Sequence, residues 1–212
     1  MSKEKNKKIF LFGMGGHAKV LLSTLNELEI EICGFVVPDL NTDSNFSDNK
    51  VLIEKDFFQE YKPDSVQVLN AIGSMPGDNT RKKVNDKLRD MNYKIMTVIH
   101  PSAYISENVN IGEGVQIMAG SVIQAGTSIG IDTIINTSVA IDHDCKIGER
   151  CHLAPGTTLS GSVAIGDNCH IGTGTVITNN INIGPSSLIA AGSVIYKDIN
   201  RDSKIIQRKT EI

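Results

Sequence analysis

At 212 residues the chain has room for one or two domains and a sizeable core. With 21% charged and 40% hydrophobic residues it is neither a disordered nor a collagen-like chain, and a net charge of −3 leaves no electrostatic footprint for nucleic acid. The six Phe all fall at or before Phe58, whereas most of the 19 Gly lie between Ile105 and Ile195, so the two halves are packed by different rules.

The N-terminus (residues 1–8) is basic, and the apolar run after it, Ile9 to Phe12, is too short for a signal-peptide core and lacks a small-residue cleavage site. No window approaches the roughly 18 apolar residues of a membrane helix. The expected compartment is the cytoplasm. Lys8 to Phe12 reads as a buried strand, Gly13-Met14-Gly15-Gly16-His17 as a Gly-rich turn, Ala18 to Leu28 as a helix and Glu31 to Val37 as a second strand. In this β-turn-α-β unit Gly13, Gly15 and Ala18 match G-x-G-x-x-A, whose mechanism is close backbone approach to a phosphate at a helix N-terminus. A tight strand-to-helix connection is the alternative reading of the same turn. A nicotinamide-binding oxidoreductase is disfavoured, because Val36 and Val37 end the second strand where a ribose-binding acid belongs, and Asp39 comes late. Asn41 to Asn49 is read as a polar loop, Ser65 to Ile72 as a strand ending in Gly73-Ser74, and Arg81 to Met91 as a basic, solvated helix. Pro101 breaks the incoming element near His100, giving domains over residues 1–98 and 99–212, with His100 a junction residue.

Beyond that point the chain repeats. Counting in sixes from Ile105 meets sixteen consecutive Ile or Leu, ending at Ile195, with no insertion. A period of six is neither helical nor a strand alternation; it is that of a hexapeptide β-helix, three hexads to a triangular coil. The Ile or Leu points inward. The position four residues on is small or β-branched and fills the rest of each face, and the frequent Gly directly after the Ile is expected to ease the turn. Large aromatics do not fit so thin a prism. Sixteen hexads make a little over five coils, about 25 Å of stack at ~4.8 Å per coil. Cys145, Cys151 and Cys169 share the small inward position, so compact apolar filler is the expected role rather than catalysis, and no zinc spacing is present.

Gly13-Met14-Gly15-Gly16-His17, Ala71-Ile72-Gly73, Ile99-His100-Pro101-Ser102-Ala103, Asp142-His143-Asp144-Cys145, His152-Leu153-Ala154-Pro155-Gly156 and Leu159-Ser160-Gly161 occur together. In this combination the chain resembles the NeuD/PglD family of sugar acetyltransferases over nearly its whole length. The resemblance implies an α/β N-terminal Rossmann-like domain that binds the nucleotide sugar, followed by a left-handed parallel β-helix. It implies a homotrimer with acetyl-CoA in grooves between neighbouring β-helices, and an acceptor lying between the N-terminal domain of one subunit and a β-helix. The implied activity is acetyl transfer from acetyl-CoA to an amino group, a 4-amino group foremost, of a nucleotide-linked sugar in surface-glycan biosynthesis. O-acetylation of a sialic-type sugar is the alternative in the same class, and a non-catalytic trimeric nucleotide-binding scaffold the alternative in another. Val37 and Pro38 stand where some members carry acids, and Asp202 to Lys209 replaces a C-terminal Gly-x-Pro-Ala segment of many relatives.

Acetyl transfer requires a base near neutrality, for which histidine is suited. His143 lies two residues past Ile141, on the turn side of its hexad, between Asp142 and Asp144. Its neighbours one coil away, Gly161 and Ala125, are small and leave room for a substrate. By resemblance Asp144 raises the basicity of His143, and transfer is direct, without an acyl-enzyme. A surface histidine on a solvated acidic turn is the alternative. His152 and His170 are one coil apart and stack in one column; a metal site there is the minor reading, and none is expected. Also by resemblance, His152, Thr173 and Ala191 contact acetyl-CoA, and Gly15, Gly16, His17 and Gly73 contact the acceptor. Lys204, Arg208 and Lys209 either meet the CoA phosphates or form a solvated tail.

Overall fold

The computed structural model describes residues 7–39 and 49–206. Its chain divides into two units, Met1–Met96 and Thr97–Ile212. The first is built on four parallel strands, β1 (Lys8–Phe12), β2 (Gly34–Val37), β3 (Val51–Ile53) and β4 (Val66–Asn70), in the order β3-β2-β1-β4. Three helices accompany them: α1 (Gly16–Glu27), α2 (Glu54–Glu60) and α3 (Thr80–Asp90). Four consecutive buried residues in each of β1 and β2 are the signature of strands covered on both faces.

Several boundaries differ from the sequence reading. The second strand starts at Gly34 rather than Glu31, because Glu31 and Cys33 face solvent and only the apolar run beyond them is buried. The fourth strand stops at Asn70, whose own Oδ1 takes the Ile72 N–H (3.0 Å) and ends the ladder. The pair β3–α2 is an addition. It brings Phe57, fully buried, against Phe10 and Phe12 with ring centroids 5.2 and 5.1 Å apart, both edge-on. Tyr61 and Tyr93 complete this aromatic core. Helix α3 is not solvated throughout: Arg81, Asn85 and Leu88 are buried along one side. Of the expected polar loop, all but Asn49 lies outside the described residues.

The second unit is a parallel β-helix. Two-residue strands recur every six residues and pair with the coil above, as His152 with His170 and Leu153 with Ile171. They form three parallel sheets of five, seven and six strands, the faces of a prism. The Ile and Leu of the repeat form its continuous core. The first strand, Val98–Ile99, precedes the expected start by one hexad, since Pro101 occupies a corner and not the entrance. The last coil is shortened: Ile205 pairs with Ile189, two residues short of the usual offset. Lys204–Ile205 is therefore a strand with Ile205 against the core, not a solvated tail, while Arg208 and Lys209 lie outside the described residues.

Two roles assigned from the repeat are corrected. The third residue after each Ile or Leu, from Asn108 to Gly192, holds the left-handed conformation with φ between 56° and 75°; it is Gly, Asn, Asp or Ser in all but Arg150. The Gly directly after the Ile do something else. Gly112, Gly130, Gly148, Gly166 and Gly184 stack at one corner without positive φ, and a Cβ on Gly130 would lie 2.6 Å from the Glu149 nitrogen of the next coil. They permit close stacking rather than a turn. The inward cysteines are also more than filler. Thr133 Oγ1 donates to Gly148 O (2.9 Å), Cys151 Sγ to Gly166 O (3.1 Å) and Cys169 Sγ to Gly184 O (3.2 Å), so thiols replace hydroxyls in one column of corner-tying donors. Burial pushes the Cys145 thiol up, away from the thiolate a nucleophile needs. No helix among the described residues is long and apolar enough to cross a membrane.

Candidate active site

His143 follows the strand Ala140–Ile141 at a corner of the prism. Asp144 occupies the left-handed turn position of its hexad (φ 59°), a conformation Asp tolerates better than most residues. That turn folds its carboxylate back beside the ring, and Oδ2 lies 2.9 Å from His143 Nδ1. On the other side Asp142 Oδ1 accepts the His143 N–H at 2.7 Å. The hydrogen bond that the ring donates to Asp144 first, and the charge of Asp142 second, hold the imidazole pKa above its ordinary value. With Nδ1 engaged by the carboxylate, Nε2 is left to exchange a proton.

The ring lies over Gly161 of the next coil: a Cβ there would fall 2.6 Å from Nε2 and 2.7 Å from Cε1. The residue beneath Asp144 is Gly126, where a Cβ would collide with Oδ1. Two glycines one coil away on either side thus make room for the His–Asp pair. The first was visible in the sequence as a small columnar neighbour of His143. The second was missed, although counting 18 back from Asp144 finds it. An open groove of about 540 Å³ climbs the five-stranded face beside this corner, from Lys146 past Ala164 to Asn182, with Asp198 and Arg201 at its end.

The other β-helix positions singled out lie across the six-stranded face. His152 stands outward on the seven-stranded sheet, in edge-to-face contact with His170 at 4.9 Å. Asn136 Oδ1 accepts the Thr137 N–H (2.8 Å), which turns its Nδ2 toward His152 Nε2 (3.1 Å); His152 Nε2 is therefore an acceptor and Nδ1 carries the proton. Burial lowers the pKa of His170, which favours the neutral ring. Thr173 and Ala191 are exposed at the following corner, stacked and joined by the Gly192 N–H to Thr173 O bond of 2.7 Å. One chain does not bring these residues to His143, because a whole face of the prism separates the two corners.

In the first unit, β2 and β4 lie on opposite sides of β1, so the carboxyl ends of β1 and β4 flank a topological switch point, where open α/β sheets bind ligands. The turn after β1 lifts Gly15 and Gly16 to the N-terminus of α1, and a Cβ on either would meet nothing within 4 Å. The turn after β4 carries Gly73, where a Cβ would lie 3.6 Å from His17 Cβ. Gly15, Gly16, His17 and Gly73 are thus gathered at one crevice, with main-chain N–H groups at a helix start suited to a phosphate.

Comparisons agree with this architecture. Residues 8–88 match the PglD N-terminal domain, residues 126–161 the bacterial transferase hexapeptide (six repeats), and residues 162–197 the hexapeptide repeat of succinyl-transferase. Among solved structures, a histidine variant of perosamine N-acetyltransferase from Caulobacter crescentus, in complex with CoA and GDP-perosamine, is 31% identical. The match covers 93% of this chain and 92% of that one with a TM-score of 0.83. The acetyltransferase domain of PglB from Neisseria gonorrhoeae is 29% identical over 91% and 93% of the two chains, with a TM-score of 0.81. WeeI from Acinetobacter baumannii, at 23% identity over 97% and 99% and a TM-score of 0.84, shares the fold. With an α/β domain followed by a left-handed parallel β-helix, the chain belongs to the NeuD/PglD family of hexapeptide-repeat sugar acetyltransferases.

Proposed function

We propose that the protein transfers an acetyl group from acetyl-CoA to the amino group, foremost a 4-amino group, of a nucleotide-linked sugar. The observation that carries this reading is the His143–Asp144 pair, seated on Gly161 and Gly126 with Nε2 left for proton exchange. The acceptor amine attacks the thioester carbonyl as His143 Nε2 takes its proton, and Asp144 stabilises the imidazolium. The C–N bond forms, the C–S bond breaks, and the proton returns from His143 to the departing thiolate. No acyl-enzyme intervenes. The crevice of Gly15, Gly16, His17 and Gly73 holds the nucleotide, and GDP-perosamine in the complex of the Caulobacter enzyme is a ligand of this chemical class.

His152, Thr173 and Ala191 hold the acyl donor in this reading, and their distance from His143 in one chain supports a homotrimer. They and His143 occupy different corners of one prism, on the order of 15 Å apart. The face between them is apolar and exposed, with Tyr104 57%, Val176 39% and Val194 61% accessible. Docking copies through this face brings the donor corner of one chain beside the His143 corner of the next, and a closed three-fold ring repeats the contact. The reading places the reaction in the cytoplasm, in the service of surface-glycan assembly.

The test is thiol release from acetyl-CoA with a panel of UDP-, GDP- and dTDP-linked 4-amino sugars and free sialic acids. Turnover with nucleotide-linked amino sugars is expected. Turnover with free sialic acids alone would instead establish O-acetylation, and nucleotide binding without any turnover would leave a scaffold.

A further inference from the structure

Helix α3 reads as a basic surface helix, yet its Arg81 is only 7% exposed. Burying a guanidinium is costly unless its donors are taken up. Here Nη1 donates to two main-chain carbonyls of the turn leaving β4, Asn70 O at 3.0 Å and Ile72 O at 2.7 Å. The grip is reciprocal. Asn70, fully buried, donates through Nδ2 to Arg81 O (3.0 Å) and to Asn85 Oδ1 (2.7 Å), while its Oδ1 accepts the Ile72 N–H (3.0 Å). The Ala71 N–H ties the same turn to β1 through Phe12 O (2.8 Å). All of this surrounds three residues whose continuation delivers Gly73 against His17 at the switch point.

We infer that Arg81, with Asn70 and Asn85, is a positioning residue for the acceptor nucleotide: the cluster holds the 70–73 turn rigid as the second wall of the site whose first wall is the Gly13–His17 turn. A wall fixed before binding spares the ligand the cost of ordering it. The cluster is remote in sequence and unit from His143, so its loss acts on acceptor affinity and leaves the chemical step and the acyl donor alone. The inference rests on the acceptor reading given above.

The test compares wild type with Arg81→Met, Arg81→Lys and Asn85→Ala. Arg81→Met is expected to raise the acceptor KM at least tenfold, with kcat and the acetyl-CoA KM within twofold. Arg81→Lys, which keeps the charge but loses the reach of Nη1, falls between, and Asn85→Ala raises the acceptor KM about threefold. An unchanged acceptor KM in the folded variants overturns the inference, as does a parallel loss of kcat and both KM values. Should Arg81→Met fail to fold, the two milder variants decide. Amide hydrogen exchange without ligand provides a readout independent of activity: exchange at Ala71 and Ile72 is expected to speed up in the variants, and unchanged rates overturn the clamp. A wild type that turns over no acceptor defeats the transferase reading, while exchange still decides the clamp.

Discussion

The two units solve the problem of burial in opposite ways. The first gathers bulky aromatics, Phe10, Phe12, Phe57, Tyr61 and Tyr93, between a sheet and its helices, with contacts reaching across the sequence. The second threads Ile and Leu into a column where each residue meets its counterpart one coil away. A layered core leaves loops free at the strand ends, with a switch point between them. A prism leaves almost no freedom. Its corners are set by the repeat, so a bulky corner side chain is accommodated by a small neighbour one coil away, as Gly161 does for His143 and Gly126 for Asp144. The lesson is that a layered unit varies at the loops beyond its strands, whereas a prism varies only at its corners.

The sharpest way to separate the halves is His143→Ala. We expect kcat to fall about 10²–10⁴-fold, with the thermal midpoint unchanged because the side chain is exposed. Normal kcat in an assembled enzyme would remove His143 as the base. Next come the cores. Phe57→Ala should cost about 3–5 kcal/mol and Ile171→Ala about 2–5 kcal/mol, each shifting the denaturant transition of its own unit; a shared shift would break the comparison. Gly161→Ala pushes against Nε2 and Cε1, and a displacement near 1 Å costs about 10²-fold, so we expect that loss in kcat at nearly unchanged stability.

Asp144→Asn tests the electrostatics. A general base works neutral, and the His143 pKa is raised, first by Asp144, so activity is expected to fall as pH drops through that raised value. Losing the carboxylate lowers the pKa, and the acid limb of the kcat–pH profile should move to lower pH; an unmoved limb would remove Asp144 from the proton's path. The smallest effect is expected at Cys151. Cys151→Ser keeps a donor to Gly166 O and should stay within ~1 kcal/mol of wild type, whereas Cys151→Val orphans that carbonyl and should cost about 1–3 kcal/mol. Equal stability of the two would return the thiol to mere filler.

The legible parts share a cause. A period of six, an inward Ile or Leu and a Gly-rich turn after an apolar strand are local patterns, and from them the prism, β1, α1 and the turn-side place of His143 could be read. What escaped was held by partners distant in sequence. Arg81 looked solvated because its helix is basic, and the carbonyls that bury it belong to another element. Phe57 and Phe58 showed no strand or helix signal strong enough to reveal β3–α2. Gly112 and its column looked like turn residues, because nothing in six residues distinguishes a needed φ from a needed clearance.

By itself the amino-acid order determined the prism, since a strict period of six closes a three-sided coil and dictates which side chains face in, while its hand came from the resemblance. It also determined that His143 and Asp144 share a corner and that Gly161 lies one coil away. Only the tertiary structure decided that the ring rests on Gly161 with Nε2 left over, that Gly126 makes room for the carboxylate, and that a buried Arg81 grips the turn opposite His17. Those are matters of clearance and donor direction at the scale of an ångström, and they exist only once separate stretches of chain are packed together.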